Sequence, residues 1–199
     1  IFSYIFENSI KDRRSTGSFY SRPSVCDYIT KKAILTYVNQ KFVVKNTSKK
    51  WFMVENPTDN VNVEDLIHKL MNIKICDNAC GTGAFLVPFL ENLTEFITFT
   101  LNNEDISPLK LNGAPSSAIS AFNIKFDLIK HCIHGIDSNY KPVLIVTKGL
   151  VLNLLSEIQE SESLSEYYVP YFGPNFVEGN SLVGFVNDVS DFNMIHRGK

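Results

Sequence analysis

The 199-residue chain has no run approaching the roughly 18–20 consecutive apolar residues that a membrane-spanning helix requires. Its longest candidate, residues 142–155, is interrupted by Lys148. No basic region followed by an apolar stretch opens the chain, because Glu7 ends the first apolar residues; no secretory leader is expected. Cysteine is scarce. Cys26, Cys76, Cys80 and Cys132 fit neither C-x-x-C nor zinc-finger spacing, so free thiols in a reducing cytoplasm are expected. His131-Cys132-x-His134 could offer metal ligands, but only one further cysteine could join them, and no metal site is expected. No G-K-[ST] occurs, which excludes a P-loop. Internal repeats and low-complexity tracts are also missing.

What remains is the composition of an ordinary globular protein, 44% hydrophobic, 12% aromatic and 20% charged, with a length that suits one domain. The net charge of −2 hides an asymmetry: residues 1–50 carry ten Lys/Arg against three Asp/Glu, and the rest carry nine against eighteen. A basic segment ahead of an acidic body can mark a polyanion-facing edge, although a solvated helix face would give the same count.

The apolar spacing predicts a helix over 24–39, with Ser24 as N-cap and Val25, Ile29, Ala33 and Tyr37 on one face. Short apolar runs at 42–44 and 51–54 suggest a hairpin or a family-specific insert, and 63–71 a further helix. Residues 73–77 read as a strand, 84–101 as a long helix with Pro88 in its first turns, and 102–117 as a loop. A helix over 118–130, a strand over 132–136 ending at Asp137, a helix over 140–158 and a strand over 176–178 follow. Strands alternating with helices argue for an α/β fold with a parallel sheet. Ligands bind such sheets at the carboxyl ends of the strands, where this chain places polar and glycine clusters.

The strongest motif is Asp77-Asn78-Ala79-Cys80-Gly81-Thr82-Gly83-Ala84-Phe85-Leu86, at a strand-to-helix junction. Glycines there permit a tight turn and close backbone approach to a ligand, or simply let the helix pack on the sheet. A dinucleotide site is disfavoured: Leu86 stands where a third glycine would be, and the next strand-ending acid, Asp137, lies far beyond the roughly 20 residues of that fingerprint.

This motif resembles the D-P-A-C-G-S-G-x-F-L signature of DNA adenine-N6 methyltransferases, especially those of restriction–modification and related phage-defence systems. The segment Arg13-Arg14-Ser15-Thr16-Gly17-Ser18-Phe19-Tyr20-Ser21-Arg22-Pro23 is similar to the R-[RK]-x-x-G-x-[FY]-Y-T-P stretch upstream in that family. His134-Gly135-Ile136-Asp137 resembles the family's second motif and Gly179-Asn180-Ser181-Leu182 its third, so the matches follow the family order from Arg13 to Leu182. Asn78 departs from the usual proline, Ser21 from threonine, Arg22 from proline, and Asn180 stands where aspartate is also common.

The resemblance implies a Rossmann-like S-adenosylmethionine-dependent methyltransferase fold, preceded by a basic helical segment over residues 1–60, with the α/β part over 61–199. It implies S-adenosylmethionine as cofactor. Asp77 would meet its ammonium, and Ala79, Cys80, Gly81 and Gly83 would bring backbone against its methionine and ribose portions. Asp137 would accept the ribose hydroxyls, with a helix N-cap as the plainer reading. Asn180 would meet the adenine amino group, with Ser181 and Leu182 at the ring edge. Phe85 would pack near the adenine or the reacting base, and Phe19, Tyr20 and Ser21 would close over the methionine end. Cys80 would not be a nucleophile, because the family forms no covalent enzyme intermediate.

The family's catalytic N-P-P-[YF] does not occur; Asn56-Pro57-Thr58-Asp59 precedes the first motif and lacks both the second proline and the aromatic. The chain opens on Ile1 and closes on Arg197-Gly198-Lys199, which together with the motif order reads as the cofactor-binding, catalytically inactive part of a larger, truncated domain. The expected partner is double-stranded DNA, with specificity or nuclease domains alongside, no membrane, and a cytoplasmic location. A methyltransferase acting on protein glutamine or RNA, or a non-catalytic nucleotide-binding or assembly module, is the alternative.

Overall fold

Pro23 opens the first helix because a missing N–H costs nothing at the first helical position. The computed structural model describes residues 21–41, 45–46, 54–55, 63–103, 120–158 and 171–183. Helix α1 (Pro23–Lys41) starts where the Arg22 carbonyl accepts from Val25 N (2.9 Å) and Cys26 N (3.1 Å). Arg22, not Ser24, therefore holds the cap position. The face of α1 that packs inward is also offset by one residue from the expected one. Cys26, Thr30, Ile34 and Val38 are buried, whereas Val25 and Ile29 are each 45% exposed. The helix carries two apolar stripes side by side, and the neighbouring helix decides which is covered.

Strands β1 (Lys45–Asn46) and β2 (Val54–Glu55) pair antiparallel, so the expected hairpin forms, displaced slightly from its apolar runs. Helix α2 (Val63–Met71) places Glu64 and Asp65 in its first turn and Lys69 in its last, charges that suit the helix dipole. It buries Leu66, Ile67 and Leu70. Strand β3 (Ile75–Asp77) leads through the glycine loop into helix α3 (Leu86–Asn103), whose Leu90, Leu93, Phe96 and Ile97 lie at the centre of the core.

Helix α4 (Ala121–His131) is capped by Ser120, whose Oγ accepts from Asn123 N at 3.2 Å. Strand β4 (Ile133–Asp137) follows at once, then helix α5 (Tyr140–Leu155). A 3₁₀ turn, Gly173–Asn175, enters strand β5 (Phe176–Glu178). Asn175 pins that turn through Nδ2 donation to the carbonyls of Ile129 (2.6 Å) and Ile133 (3.1 Å).

The sheet runs β3-β4-β5, all parallel, in the register Asp77↔Gly135 and Asp137↔Glu178. This is the α/β arrangement that the alternation of elements implies. Each strand delivers its last residue to the same end, and the acids Asp77, Asp137 and Glu178 close three neighbouring strands. Among the described residues no helix is long and apolar enough to cross a membrane.

Candidate functional site

The glycine loop is built by its own short side chains and by its neighbours. Asp77 Oδ1 accepts from Ala79 N at 3.0 Å, a local turn typical of aspartate. The chain then crosses to β4, where Cys80 N donates to the Ile136 carbonyl at 2.9 Å. The Cys80 side chain is buried over Gly135; a Cβ at Gly135 would lie 3.0 Å from Cys80 Sγ and from Phe176 Cδ1. Burial first, then the charges of Asp137 and Asp77, pushes the Cys80 thiol up to about 12. It is protonated throughout the physiological range and cannot act as a nucleophile there.

Gly81 and Gly83 both have positive φ, 50° and 90°. At Gly83 a Cβ would meet Val146 Cγ2 of α5 at 2.5 Å. Gly83 thus lets the start of α3 press against α5, so packing governs this position. Its N–H donates to the Cys80 carbonyl (2.8 Å), and its own carbonyl accepts from Val87 N (3.0 Å).

Asp137 ties the loops together. Oδ2 accepts from Gly81 N at 2.9 Å, Oδ1 accepts from Asn139 N at 2.9 Å, and its carbonyl accepts from Gly179 N at 2.9 Å. It is not the cap of α5: Asn139 holds that place, accepting from Lys141 N at 3.0 Å. Each carboxylate oxygen keeps a second lone-pair direction for a ligand hydroxyl.

The loop after β5 joins the same assembly, since Ser181 Oγ donates to the Asn78 carbonyl at 2.8 Å. Asn180 Oδ1 accepts from Leu182 N (3.0 Å) and Val183 N (3.3 Å). The Asn180 oxygen therefore shapes its own turn, and the group it can offer a ligand is the Nδ2 donor. Leu182 is 96% exposed.

Residues from three segments distant in sequence, 77–83, 137 and 180–181, thus meet at one end of the sheet. Phe85 is half-buried and lines a cleft of about 340 Å³ with Ile29, Thr30, Ile75, Asp77 and Asn78, between α1 and the outer edge of β3. Ser21 is exposed just ahead of α1, and Phe19 and Tyr20 lie outside the described residues. A larger cleft of about 540 Å³ opens between α3, α4 and α5, but none of the motif residues lines it.

The charge at the strand ends is of one sign. Asp77, Asp137 and Glu178 contribute carboxylates, and residues 77–83, 137–139 and 178–183 include no Lys or Arg. Such a surface repels phosphate and attracts a ligand that carries hydroxyls and positive charge. Sequence reasoning passed over Glu178, although it ends its strand as the other two acids do. It also missed Asn139, whose place immediately before α5 was a readable capping signal. Among the described residues no group of three His, Cys, Asp or Glu could hold a metal ion, and Cys132 is buried with Sγ donating to the Met71 carbonyl at 3.1 Å.

Comparison with known proteins points in one direction. The chain is similar to RM.Eco57I of Escherichia coli, a type II restriction enzyme and methyltransferase, at 29% identity over 116 residues. That match covers 58% of this chain and 12% of the relative. RM.MjaORFECS2P of Methanocaldococcus jannaschii, named a putative type II restriction enzyme and methyltransferase, is 24% identical over 212 residues, covering 94% of this chain and 17% of the relative. The chain therefore spans less than a fifth of the length of either curated relative. No protein-family model matches it.

Proposed function

We propose that this chain is the S-adenosylmethionine-binding part of a DNA methyltransferase that modifies adenine at N6 in a restriction–modification system. The observation that carries the reading is the strand-end surface: three carboxylates on adjacent strands, with no basic residue in the loops between them. A dinucleotide or nucleoside triphosphate would set phosphates against those acids. S-adenosylmethionine has no phosphate; it offers an ammonium, a sulfonium and two ribose hydroxyls, which suit acceptors of negative charge. The similarity to proteins named as restriction enzyme and methyltransferase supports the same class.

In this reading Asp137 accepts the ribose hydroxyls through the lone pairs that Gly81 N and Asn139 N do not use. Asp77 meets the ammonium, and Asn180 turns its Nδ2 group to a ring nitrogen of the adenine in place of the amino contact expected from sequence. Ser181 and Leu182 border the ring, and Phe85 packs near it. Phe19, Tyr20 and Ser21 close the methionine end. Ala79, Cys80, Gly81 and Gly83 form the backbone wall, shaped by the bonds of Cys80 N to Ile136 and of Gly81 N to Asp137. Bound S-adenosylmethionine would supply an electrophilic methyl group to an attacking amine.

The target base requires a second half-site, the N-P-P-[YF] that this sequence lacks. Among the described residues no strand pairs with the outer edge of β3, and the 340 Å³ cleft runs beside it. We assign that edge to the element that would hold the flipped base. The basic residues Arg13, Arg14 and Arg22 would then lie toward the entering DNA strand.

The test is transfer of a labelled methyl group to duplex DNA by the full-length protein, with nucleoside analysis of the product. N6-methyladenine is the expected product, and the 199 residues alone are expected to give no turnover. Label in cytosine or in protein would overturn the assignment to adenine.

A further inference from the structure

The parallel register puts the three strand-end acids on one face of the sheet. Residues paired in register project to the same side, and successive residues along a strand to opposite sides. A Cβ on Gly135 would lie 3.0 Å from Cδ1 of Phe176, its register partner on β5. On the opposite face, a Cβ on Gly179 would lie 3.7 Å from Ile136 Cγ2. Two residues beyond Gly135 and Phe176 stand Asp137 and Glu178, themselves paired in register. Their side chains therefore leave the Gly135 face together, from strands about 4.8 Å apart. Asp77, in register with Gly135, leaves the same face from the strand on the other side.

The three carboxylates are not equally engaged. Asp77 accepts from Ala79 N, and Asp137 accepts from Gly81 N and Asn139 N. Glu178 is exposed, and among the described residues its carboxylate accepts no hydrogen bond and pairs with no cation. Like charges side by side on one sheet face cost stability. The loops at residues 77–83, 137–139 and 178–183 bring no Lys or Arg to offset that cost. The fold thus leaves a strong acceptor, with both oxygens unused, beside the carboxylate that ties the loops.

The proposed cofactor has a donor to match. With the ammonium assigned to Asp77 on β3 and the ribose to Asp137 on β4, the adenine falls at the end of β5, the next strand. Its exocyclic amino group needs an acceptor there. Asn180 does not supply one, because its Oδ1 already accepts from Leu182 N and Val183 N. Ser181 Oγ donates to the Asn78 carbonyl, and as a neutral hydroxyl it accepts more weakly than a carboxylate. We propose that Glu178 is a specificity-determining residue: its carboxylate accepts the adenine amino group, the contact that Asn180 leaves unmade, and so selects a 6-amino purine in the cofactor. This rests on the proposed S-adenosylmethionine site.

The experiment is calorimetric titration of the full-length protein and its variants, each first shown folded by thermal melting, with two probes. These are S-adenosylhomocysteine and its 6-deamino analogue, in which hydrogen replaces the amino group. Wild type should bind the adenosyl probe about tenfold more tightly than the deamino probe. Glu178→Ala should lose that factor of about ten for the adenosyl probe and bind the deamino probe as wild type does. Glu178→Asp keeps the charge but withdraws the carboxylate by one methylene; it should lose about fivefold for the adenosyl probe alone. A carboxylate that acted only through its charge would give another pattern, with alanine weakening both probes equally and aspartate neither. That pattern, a preference that survives Glu178→Ala, or a wild type that does not distinguish the probes overturns the inference. A wild-type protein that binds neither probe nor S-adenosylmethionine overturns the functional reading instead, and the two failures are thereby separated.

Discussion

On the β5 side of the sheet three loops are stitched to one another, whereas along the outer edge of β3 two partly apolar surfaces face a cleft. On the first side Asp137 holds Gly81 and Asn139, its carbonyl holds Gly179, and Ser181 reaches Asn78. On the second, Ile29 remains 45% exposed at the cleft and Cys76 of β3 is exposed. The two strand-end aspartates show the contrast in small: Asp77 accepts from a backbone amide two residues away, Asp137 from one 56 residues away. A ligand surface assembled from several loops has to be rigid before the ligand arrives, because ordering those loops on binding would subtract from affinity. Among the described residues no such stitching borders the open edge, which suits a further element of structure.

The sharpest way to break this contrast is at Gly83. A Cβ there would collide with Val146 on a backbone whose φ is 90°, so both overpacking and strain apply. Gly83→Ala should destabilise the fold by about 3 kcal/mol, read as a lower denaturant midpoint. A loss below about 1 kcal/mol would mean that the start of α3 is not pressed against α5.

Thiol labelling compares the two sides directly. Cys76 should react with a maleimide on the order of 100-fold faster than Cys26, Cys80 or Cys132, which are buried. Raising the pH to 9 should not bring Cys80 or Cys132 in, because their thiols are pushed up to about 12 and about 11. Above pH 9 the unfolded chain releases those protons first, so stability should decline there. Equal labelling of all four cysteines would erase the distinction between the sides.

Asp137→Ala should cost about 2 kcal/mol by leaving Gly81 N and Asn139 N without their acceptor. Asp77→Ala should cost about 0.5 kcal/mol, since it removes one exposed local bond. Comparable losses in the two variants would deny Asp137 its role as the tie. Equally small is Ser181→Ala, about 0.5 kcal/mol for one exposed hydrogen bond, detectable as faster amide exchange in residues 179–183.

Elements with strong local signals were legible. The helix over 63–71 and the strand over 176–178 stand where spacing puts them, and the parallel order follows from the alternation of elements. The buried face of α1 was not legible, because its competing stripes differ only in what α3 presents, and Asn92 of α3, which donates to Thr30, lies 62 residues away. At the site, the motif residues could be named, but not their work. Gly83 answers to Val146, Gly81 N to Asp137, and the Asn180 oxygen to its own turn. Each of these partners lies on another element or in a turn whose geometry no spacing rule states. Phe19 and Tyr20 fall outside the described residues.

The measurement that bears most directly on the strand-end carboxylates is calorimetry of the full-length protein with S-adenosylmethionine, NAD⁺ and ATP in parallel, on wild type and Asp137→Asn. S-adenosylmethionine should bind the wild type, the two phosphate-bearing ligands should not, and Asp137→Asn should weaken binding about tenfold or more. Binding of NAD⁺ or ATP in preference, or an Asp137→Asn affinity equal to wild type, would contradict the proposed cofactor site.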